Sequence, residues 1–280
     1  MVTSPREDRD VFRLAPGMDD TVLQTVADRL EFRATDPGYV ALSQAYFDRL
    51  PLSPPCRVLA LGCGTGVEVR ALKRRVDPEV VVVGIDHSEA LVERARTQTA
   101  TEGLAQNVEY RVGDVHDLPF SDAEFDVVTL HTLISHVEDP TRVLAQTRRV
   151  LRPGGTVAIF DGDYASMTFA HPDPAIAVMM EDGLKRAMVA NPRVMRDLPR
   201  LLRQADLELA AADGAVYADI GTGRFWANAA EAYASVLGRS GLLPLEVVEA
   251  WRAEQTEASV RKTFFGASVY YTYLARRPSD

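Results

Sequence analysis

The stretch that decides the fold is Arg57 to Gly66, R-V-L-A-L-G-C-G-T-G. Its first half is an apolar run from Val58 to Leu61, which is long enough for a buried strand and too short for a helix. Beyond the glycines, Val69, Leu72 and Val76 recur at helical spacing. The unit is therefore predicted to be a strand, a glycine loop and a helix.

The three glycines of this loop, Gly62, Gly64 and Gly66, indicate a ligand site. Glycine adopts positive φ readily and has no Cβ, so backbone N–H groups can approach a ligand closely. The loop leads into a helix N-terminus, where unpaired donors and the positive end of the dipole favour polar or anionic groups. The stretch predicts a loop that holds a nucleotide-type cofactor.

The next segment predicts how the cofactor's ribose is held. A β-branched run from Val80 to Ile85 is typical of a buried parallel strand, and it ends at Asp86. Ser88 is placed to cap the following helix. Because Asp86 would stand at the tip of the second strand, its carboxylate can accept hydrogen bonds from both hydroxyls of a ribose.

Three further strands are predicted at 107–112, 125–130 and 156–160, with helices between them. Asp139 and Pro140 begin one of these helices as its cap and first residue. Five strands that alternate with helices indicate a doubly wound parallel sheet, whose ligands lie beyond the carboxyl ends of the strands.

Helical segments flank this α/β unit on both sides. The first 17 residues are predicted to be a loose polar arm, and two helices, at 18–35 and 39–50, follow it. We expect residues 1–52 to form an N-terminal helical lid and residues 53–280 to form the main domain. The main domain is predicted to carry strands at 207–220 and 264–275, and helical insertions near 165–205 and 221–262.

Aromatic and methionine side chains in these insertions are candidates for an acceptor pocket. They fall into two groups, one near Phe169 and Met188 and one that includes Trp226, Tyr233 and Trp251. Most are expected to be core. A subset that faces the site would favour a flat or apolar small molecule, because ligand pockets are mostly apolar.

Composition excludes several classes of partner. The chain has 280 residues and a formal net charge of −9, which argues against nucleic acid, whose phosphates need a basic surface. It has only two cysteines and no run of the roughly 20 apolar residues that a membrane span needs. We therefore expect a cytoplasmic protein without a membrane span or a disulfide framework. A homodimer is kept as a candidate assembly.

Five motifs occur in order between residues 57 and 160: V-L-A-L-G-C-G-T-G, G-I-D-H-S, G-D-V-H-D-L-P-F, F-D-V-V-T-L-H and V-L-R-P-G-G-T-V. This series resembles the signature of class I S-adenosylmethionine-dependent methyltransferases, in particular the quinone-biosynthesis and small-molecule methyltransferases. The resemblance implies a Rossmann-like sheet of seven strands with the last strand antiparallel. It also implies methyl transfer from S-adenosylmethionine to a small molecule. The insertions favour a fairly hydrophobic acceptor, and no cluster of residues has a spacing that indicates a metal site.

The resemblance assigns roles at the matching positions. Gly62, Gly64 and Gly66 would hold the methionine part of the cofactor, and Asp86 would bind its ribose. His87 would lie beside the adenosine, Asp114 would accept a hydrogen bond from the adenine amino group, and the Val115 N–H would reach the adenine ring. His131 would lie near the transferring methyl.

One position departs from the family pattern. Ala60 stands where the family usually has an acidic residue that helps to anchor the cofactor's ammonium group. Backbone carbonyls of the loop or a group from the lid would have to replace it. Arg33 is a candidate ligand for the cofactor's carboxylate. The departure also motivates an alternative function, a protein that binds S-adenosylmethionine without transferring its methyl group.

Two histidines are candidates for a catalytic base. His131 ends the fourth predicted strand and His136 follows it in H-T-L-I-S-H-V. Histidine suits this role because its reference pKa is about 6.5. Asp163 and Tyr164, beyond the fifth predicted strand, are reserve polar groups, and the Asp161-Gly-Asp163 turn is not expected to bind magnesium.

A dinucleotide-dependent dehydrogenase is the natural rival. Its fingerprint, G-x-G-x-x-G, would need a third glycine at the position occupied by Val67, and Gly66 comes one residue too early.

Overall fold

The computed structural model describes residues 20–279, so the arm predicted for residues 1–17 lies outside the described residues. The strands are β1 (Arg57–Leu61), β2 (Val81–Asp86), β3 (Val108–Val112), β4 (Phe125–His131), β5 (Leu151–Phe169), β6 (Glu208–Gly221) and β7 (Phe264–Arg276). The helices are α1 (Asp20–Arg33), α2 (Pro37–Gln44), α3 (Val67–Lys73), α4 (Glu89–Thr101), α5 (Pro140–Val150), α6 (Pro174–Met188), α7 (Val194–Gln204), α8 (Arg224–Ser240) and α9 (Leu245–Arg261).

The seven strands form one sheet in the order β3-β2-β1-β4-β5-β7-β6. Strands β1 to β5 run parallel, and β7 is antiparallel to both of its neighbours, β5 and β6. The strand order reverses between β1 and β4. The predicted Rossmann-like sheet of seven strands with an antiparallel last strand is confirmed.

The sheet is buried on both faces, which explains the unbroken apolar run of β1. Val58 and Ala60 contribute to the core on one face, together with α3, α4 and the helices α6, α8 and α9. Leu59 and Leu61 point to the other face, where α5 and α7 cover them. Successive side chains of a strand point to opposite faces, so in a strand that is covered on both sides every side chain is buried and apolar residues are favoured throughout.

The fifth strand differs from the prediction. A strand was expected over 156–160, but β5 runs from Leu151 to Phe169. The reason is tertiary. Strand β7 pairs with β5 from Thr156 to Asp163 and again at Thr168 and Phe169, with an irregularity in between, and so extends it past the predicted end.

The N-terminal helices lie over the carboxyl edge of the sheet. Asp36 caps α2, its side chain accepting a hydrogen bond from the Tyr39 N–H. The helix predicted over 39–50 is wrong in its bounds, because α2 ends at Gln44 and a short 3-10 helix, Phe47–Arg49, follows. Within residues 20–279 no helix combines the length and the apolar character that crossing a membrane requires.

Candidate functional site

The glycine loop that joins β1 to α3 adopts backbone conformations that favour glycine. Gly62, Gly64 and Gly66 have φ values of 63°, 50° and 78°. A Cβ on Gly62 would lie 2.6 Å from Leu133, so a larger residue there would also clash. The loop therefore brings its backbone to the surface of a cavity at the carboxyl edge of the sheet.

Asp86 ties the second strand to this loop. One oxygen of its carboxylate accepts a hydrogen bond from the Gly64 N–H at 2.9 Å, and the other accepts one from the Ser88 N–H, also at 2.9 Å. Each carboxylate oxygen has further acceptor capacity, so the group can still bind hydroxyls. His87 beside it is about half exposed, and its Nδ1 lies 3.5 Å from the carboxylate.

Two compartments adjoin at this edge. The first lies between the glycine loop and the N-terminal helices, and the second lies beyond the ends of β2 and β3. Both are lined by Gly62, Asp86, His87, Leu133 and His136, which mark the boundary between them. The cavity is therefore elongated, with the Asp86 carboxylate near its middle.

Asp114, Val115 and His116 line the second compartment. The Asp114 carboxylate accepts hydrogen bonds from the His116 N–H at 2.8 Å and from its ring Nδ1 at 2.7 Å. Burial opposes ionisation, but these bonds outweigh it and lower the pKa of Asp114. The Asp114 side chain is 64% exposed, so an ionised acceptor faces the compartment.

The N-terminal helices close the first compartment. Arg33, Tyr39 and Phe47 line it together with Leu30 and Val40. One guanidinium nitrogen of Arg33 donates to the Thr132 hydroxyl at 3.1 Å, and its Nε is buried without a hydrogen-bond partner in the described part of the chain. An unpaired buried donor is costly, which makes Arg33 a candidate contact for an acidic ligand group.

The glycine loop and the N-terminal helices are also bonded directly. Glu31 accepts a hydrogen bond from the Thr65 hydroxyl at 2.6 Å and one from Arg70 at 2.7 Å. These bonds hold α1 against the start of α3.

A chain of hydrogen-bonded polar groups runs beside the first compartment from α3 to the end of β4. The Tyr46 hydroxyl donates to the Glu68 carboxylate at 2.7 Å and lies 3.1 Å from Nδ1 of His131. Burial, and next the positive charge of Arg33, lower the pKa of His131 to about 3. His131 is therefore neutral at physiological pH, and a Tyr46 proton directed to an ionised Glu68 requires the histidine proton to be on Nδ1.

The two histidines that the sequence proposed as bases lie in different environments. His131 belongs to the chain of polar groups just described, and its pKa of about 3 makes it a weak base. His136 lines both compartments, and its ring lies 5.8 Å from that of Tyr164. Burial raises the pKa of Asp161, although the nearby His136 and the hydrogen bonds from Ser135 and Gly162 act to lower it.

Asp161 and Asp163 have structural partners. Asp161 accepts hydrogen bonds from the Ser135 N–H at 3.1 Å, the Ser135 hydroxyl at 2.9 Å and the Gly162 N–H at 2.8 Å. Asp163 pairs with Arg196 of α7, and it lines neither compartment. Among residues 20–279, no group of three or more His, Cys, Asp or Glu side chains is arranged to hold a metal ion.

The aromatic groups of the insertions do not line the cavity. Of the described residues, Phe169, Trp226, Tyr233 and Trp251 contribute to the core and none lines either compartment. The insertion supports the N-terminal helices from behind instead. The ring of Phe225 stacks on Tyr39 at 5.0 Å, and Arg29 donates to the side chain of Asn228 at 2.8 Å.

Sequence reasoning missed Glu68 and Tyr46. Glu68 follows the glycine loop in the first turn of a helix, where an acidic residue is ordinary, and Tyr46 lies in the helix predicted over 39–50, where a tyrosine is compatible with core packing. No signal in the sequence distinguishes them, because the burial of α3, which makes Glu68 unusual, is a property of the folded chain.

Comparison of the chain with known proteins identifies its family. Residues 59–159 match the family described as "Methyltransferase domain". The chain is 31% identical over 237 residues to 27-O-demethylrifamycin SV methyltransferase of Amycolatopsis mediterranei, an alignment that covers 82% of this chain and 80% of that protein.

The chain belongs to the methyltransferase family.

Other similarities agree with this membership. The methyltransferase is 33% identical over 200 residues to an uncharacterised 37.1 kDa protein of transposon TN4556 from Streptomyces fradiae, which covers 71% of this chain but only 57% of that protein. The chain thus spans less than two thirds of the length of this relative. The structure of a candidate methyltransferase from Bacillus halodurans matches the fold with a TM-score of 0.60 at 21% identity, over 84% of this chain and 98% of that one.

Proposed function

We propose that this methyltransferase transfers a methyl group from S-adenosylmethionine to a small, fairly hydrophobic acceptor. The observation that carries the proposal is the pair of adjoining compartments with the Asp86 carboxylate between them. A nucleoside that is joined to an amino acid has three parts in the same order: a base at one end, a ribose in the middle and a charged amino acid at the other end.

The residues present fit this cofactor. Asp86 would accept hydrogen bonds from the ribose hydroxyls, and Asp114 would accept one from the adenine amino group in the second compartment. Val115 would donate its N–H to the ring and His87 would lie beside the adenosine. The glycine loop would surround the methionine part, and the unpaired Nε of Arg33 would find an acceptor in the cofactor's carboxylate.

The chemistry needs little from the protein beyond alignment. S-adenosylmethionine supplies a methyl group that already bears an activated leaving group. The protein must orient the acceptor, and alignment alone accounts for up to roughly 7–11 kcal/mol in the best intramolecular reactions. The N-terminal helices exclude water from the first compartment with apolar side chains such as Leu30, Val40 and Phe47. These side chains also favour an acceptor with a substantial apolar part.

An acceptor that loses a proton needs a base. We assign this role to His136, because it lines both compartments and so reaches the space where an acceptor would meet the cofactor. His131 would have a different task. As a neutral ring bonded to Tyr46, it would form part of the wall next to the reacting methyl without adding a positive charge.

The test is calorimetric titration of the full chain with S-adenosylmethionine and S-adenosylhomocysteine, followed by incubation with a panel of phenols, quinones and amines. We expect both compounds to bind at micromolar concentration. We also expect at least one acceptor class to yield S-adenosylhomocysteine in equal amounts with a methylated product. An absence of binding at millimolar cofactor would contradict the proposal.

The second candidate function is binding of S-adenosylmethionine without methyl transfer. It was motivated by Ala60, which removes a carboxylate expected on β1. The same panel separates the two functions, because binding with no methylated product from any acceptor class would favour the second. A cytoplasmic location, the absence of a nucleic-acid partner and a homodimeric state stay predictions from the sequence.

A further inference from the structure

Glu68 is a buried carboxylate without a cationic partner. It lies in the first turn of α3, is 7% exposed and lines the first compartment. It accepts a hydrogen bond from the Tyr46 hydroxyl at 2.7 Å, and the nearby Thr129 hydroxyl acts to lower its pKa. Within residues 20–279, no ion pair involves Glu68. Burying a charge without a partner is costly, so this carboxylate needs a functional reason.

The neighbouring carboxylates are satisfied in ways that Glu68 is not. Asp86 accepts two backbone N–H groups, and Asp161 accepts two backbone N–H groups and a hydroxyl. Glu31 pairs with Arg70. Within residues 20–279, Glu68 has neither a backbone donor nor a basic side chain as a partner. Burial raises its pKa, and the nearby hydroxyls of Tyr46 and Thr129 act to lower it. Its acceptor capacity is largely unused.

The position of Glu68 is as informative as its burial. Thr129 is the residue of β4 that pairs with Ala60 of β1. Because the Thr129 hydroxyl is near enough to affect the pKa of Glu68, the Glu68 carboxylate lies beside the strand pair that carries Ala60. A helix side chain thus places an acidic group close to the position where β1 itself provides only a methyl group.

A basic group with unused hydrogen-bonding capacity lines the same compartment. Arg33 has a buried Nε without a partner in the described part of the chain. One unbalanced carboxylate and one guanidinium with a free donor, both facing one cavity, match the ammonium and carboxylate groups of an α-amino acid. Neutral ligands would satisfy neither of them fully, because charge-assisted hydrogen bonds are about twice as strong as neutral ones.

We propose that Glu68, held by Tyr46, binds the α-ammonium group of the cofactor's methionine part and so replaces the acidic side chain missing at Ala60. The inference rests on the proposed function. The contact requires an ionised Glu68, and the ammonium supplies the positive charge that stabilises this form. Tyr46 orients the carboxylate and, through His131, connects it to the end of β4.

The experiment compares two ligands that differ only beyond the sulfur. S-adenosylhomocysteine carries the amino acid, whereas 5′-methylthioadenosine shares the adenosine and the thioether and lacks the ammonium and carboxylate. We expect Glu68→Gln to weaken S-adenosylhomocysteine at least about 10-fold by calorimetry, since one hydrogen bond to a charged group is lost. We expect its affinity for 5′-methylthioadenosine to stay within about 2-fold of wild type, because that ligand makes no contact of this kind.

Asp86→Asn provides the matched control, also a carboxylate changed to an amide. Because Asp86 is assigned to the ribose, which both ligands contain, this variant should weaken both to a similar extent. Equal losses for both ligands in Glu68→Gln would overturn the inference and leave Glu68 a purely structural role. A loss for S-adenosylmethionine without a loss for S-adenosylhomocysteine would also overturn it, because the contact would then be to the sulfonium.

Failure of the proposed function has a separate signature. If wild-type protein binds neither ligand, the proposed function itself is wrong. If Glu68→Gln does not fold, the wild-type protein is titrated with S-adenosylhomocysteine and with its deamino analogue, in which hydrogen replaces the amino group. A deamino analogue at least about 10-fold weaker supports an ammonium contact in the compartment that Glu68 lines, and equal affinity overturns it.

Discussion

The two sides of the candidate site are built in different ways. On the sheet side, the glycine loop, Asp86 and Asp114 come from consecutive strand ends, and the bond from Gly64 to Asp86 spans 22 positions. On the side of the N-terminal helices, which we call the lid side after the predicted lid, the contacts join distant parts of the chain. Arg33 bonds Thr132 across 99 positions, and Arg29 bonds Asn228 across 199.

This difference separates what a short motif can specify from what only the whole fold can specify. Backbone donors and strand-end carboxylates follow from local patterns, so the sheet side can accommodate a nucleotide in many proteins. The lid side contributes Arg33, Tyr46 and, through Tyr46, the orientation of Glu68. We therefore expect substitutions on the sheet side to weaken every adenosine compound and those on the lid side to discriminate among them.

The largest effect is expected for Asp86→Ala. The change removes the ribose acceptor and also the bond that holds Gly64, so two charge-assisted contacts are lost. At about 1.5–3 kcal/mol for each, the dissociation constant for S-adenosylhomocysteine should rise about 100-fold or more. Calorimetry measures it, with Asp122→Ala as the control because that exposed carboxylate pairs with Arg149 far from both compartments. Wild-type affinity in Asp86→Ala would refute the ribose assignment.

A smaller effect, on turnover and not on binding, is expected for His136→Gln. If His136 removes a proton from the acceptor, its loss should lower kcat about 100-fold while the affinity for the cofactor changes little. The assay is steady-state methylation of an acceptor that the panel identifies. His171→Gln is the control, because this partly exposed histidine hydrogen-bonds with the nearby Asp173 and lines neither compartment. A kcat within about 2-fold of wild type would exclude His136 as the base.

The sheet side could be predicted from sequence because its signals are local. The run from Val58 to Leu61, the glycines and the strand that ends at Asp86 were all placed correctly. The helix that begins with Asp139 and Pro140 is also as predicted. Each depends on propensity, periodicity or capping within about ten residues.

The remaining features depend on partners that a linear pattern does not contain. Strand β5 continues to Phe169 because β7 pairs with it, and no propensity in Asp161 to Ala165 indicates that extension. Tyr46 fits an apolar helix face, and only the folded chain places its hydroxyl between Glu68 and His131. The same holds for Trp226 and Trp251, which were candidates for the acceptor pocket and instead form core behind the N-terminal helices.

The last effect is expected at His131, where the two sides meet, and it concerns stability. Burial and Arg33 lower the pKa of His131 to about 3, whereas the unfolded chain takes up this proton below about 6.5. The unfolded state therefore binds more protons between these values, and the free energy of unfolding should fall as pH drops from about 6.5 to 3. One proton limits this slope to about 1.4 kcal/mol per pH unit.

Urea unfolding of wild type and His131→Gln at several pH values measures this contribution as the difference between the two curves. Glu68 acts in the opposite sense, since its raised pKa makes stability fall as pH increases, and it is present in both proteins. We expect His131→Gln to lose less stability than wild type on acidification, and His171→Gln to follow the wild-type curve. Parallel curves for wild type and His131→Gln would mean that the folded protein protonates His131 as readily as the unfolded chain, and the neutral ring assigned to the reaction site would then be wrong.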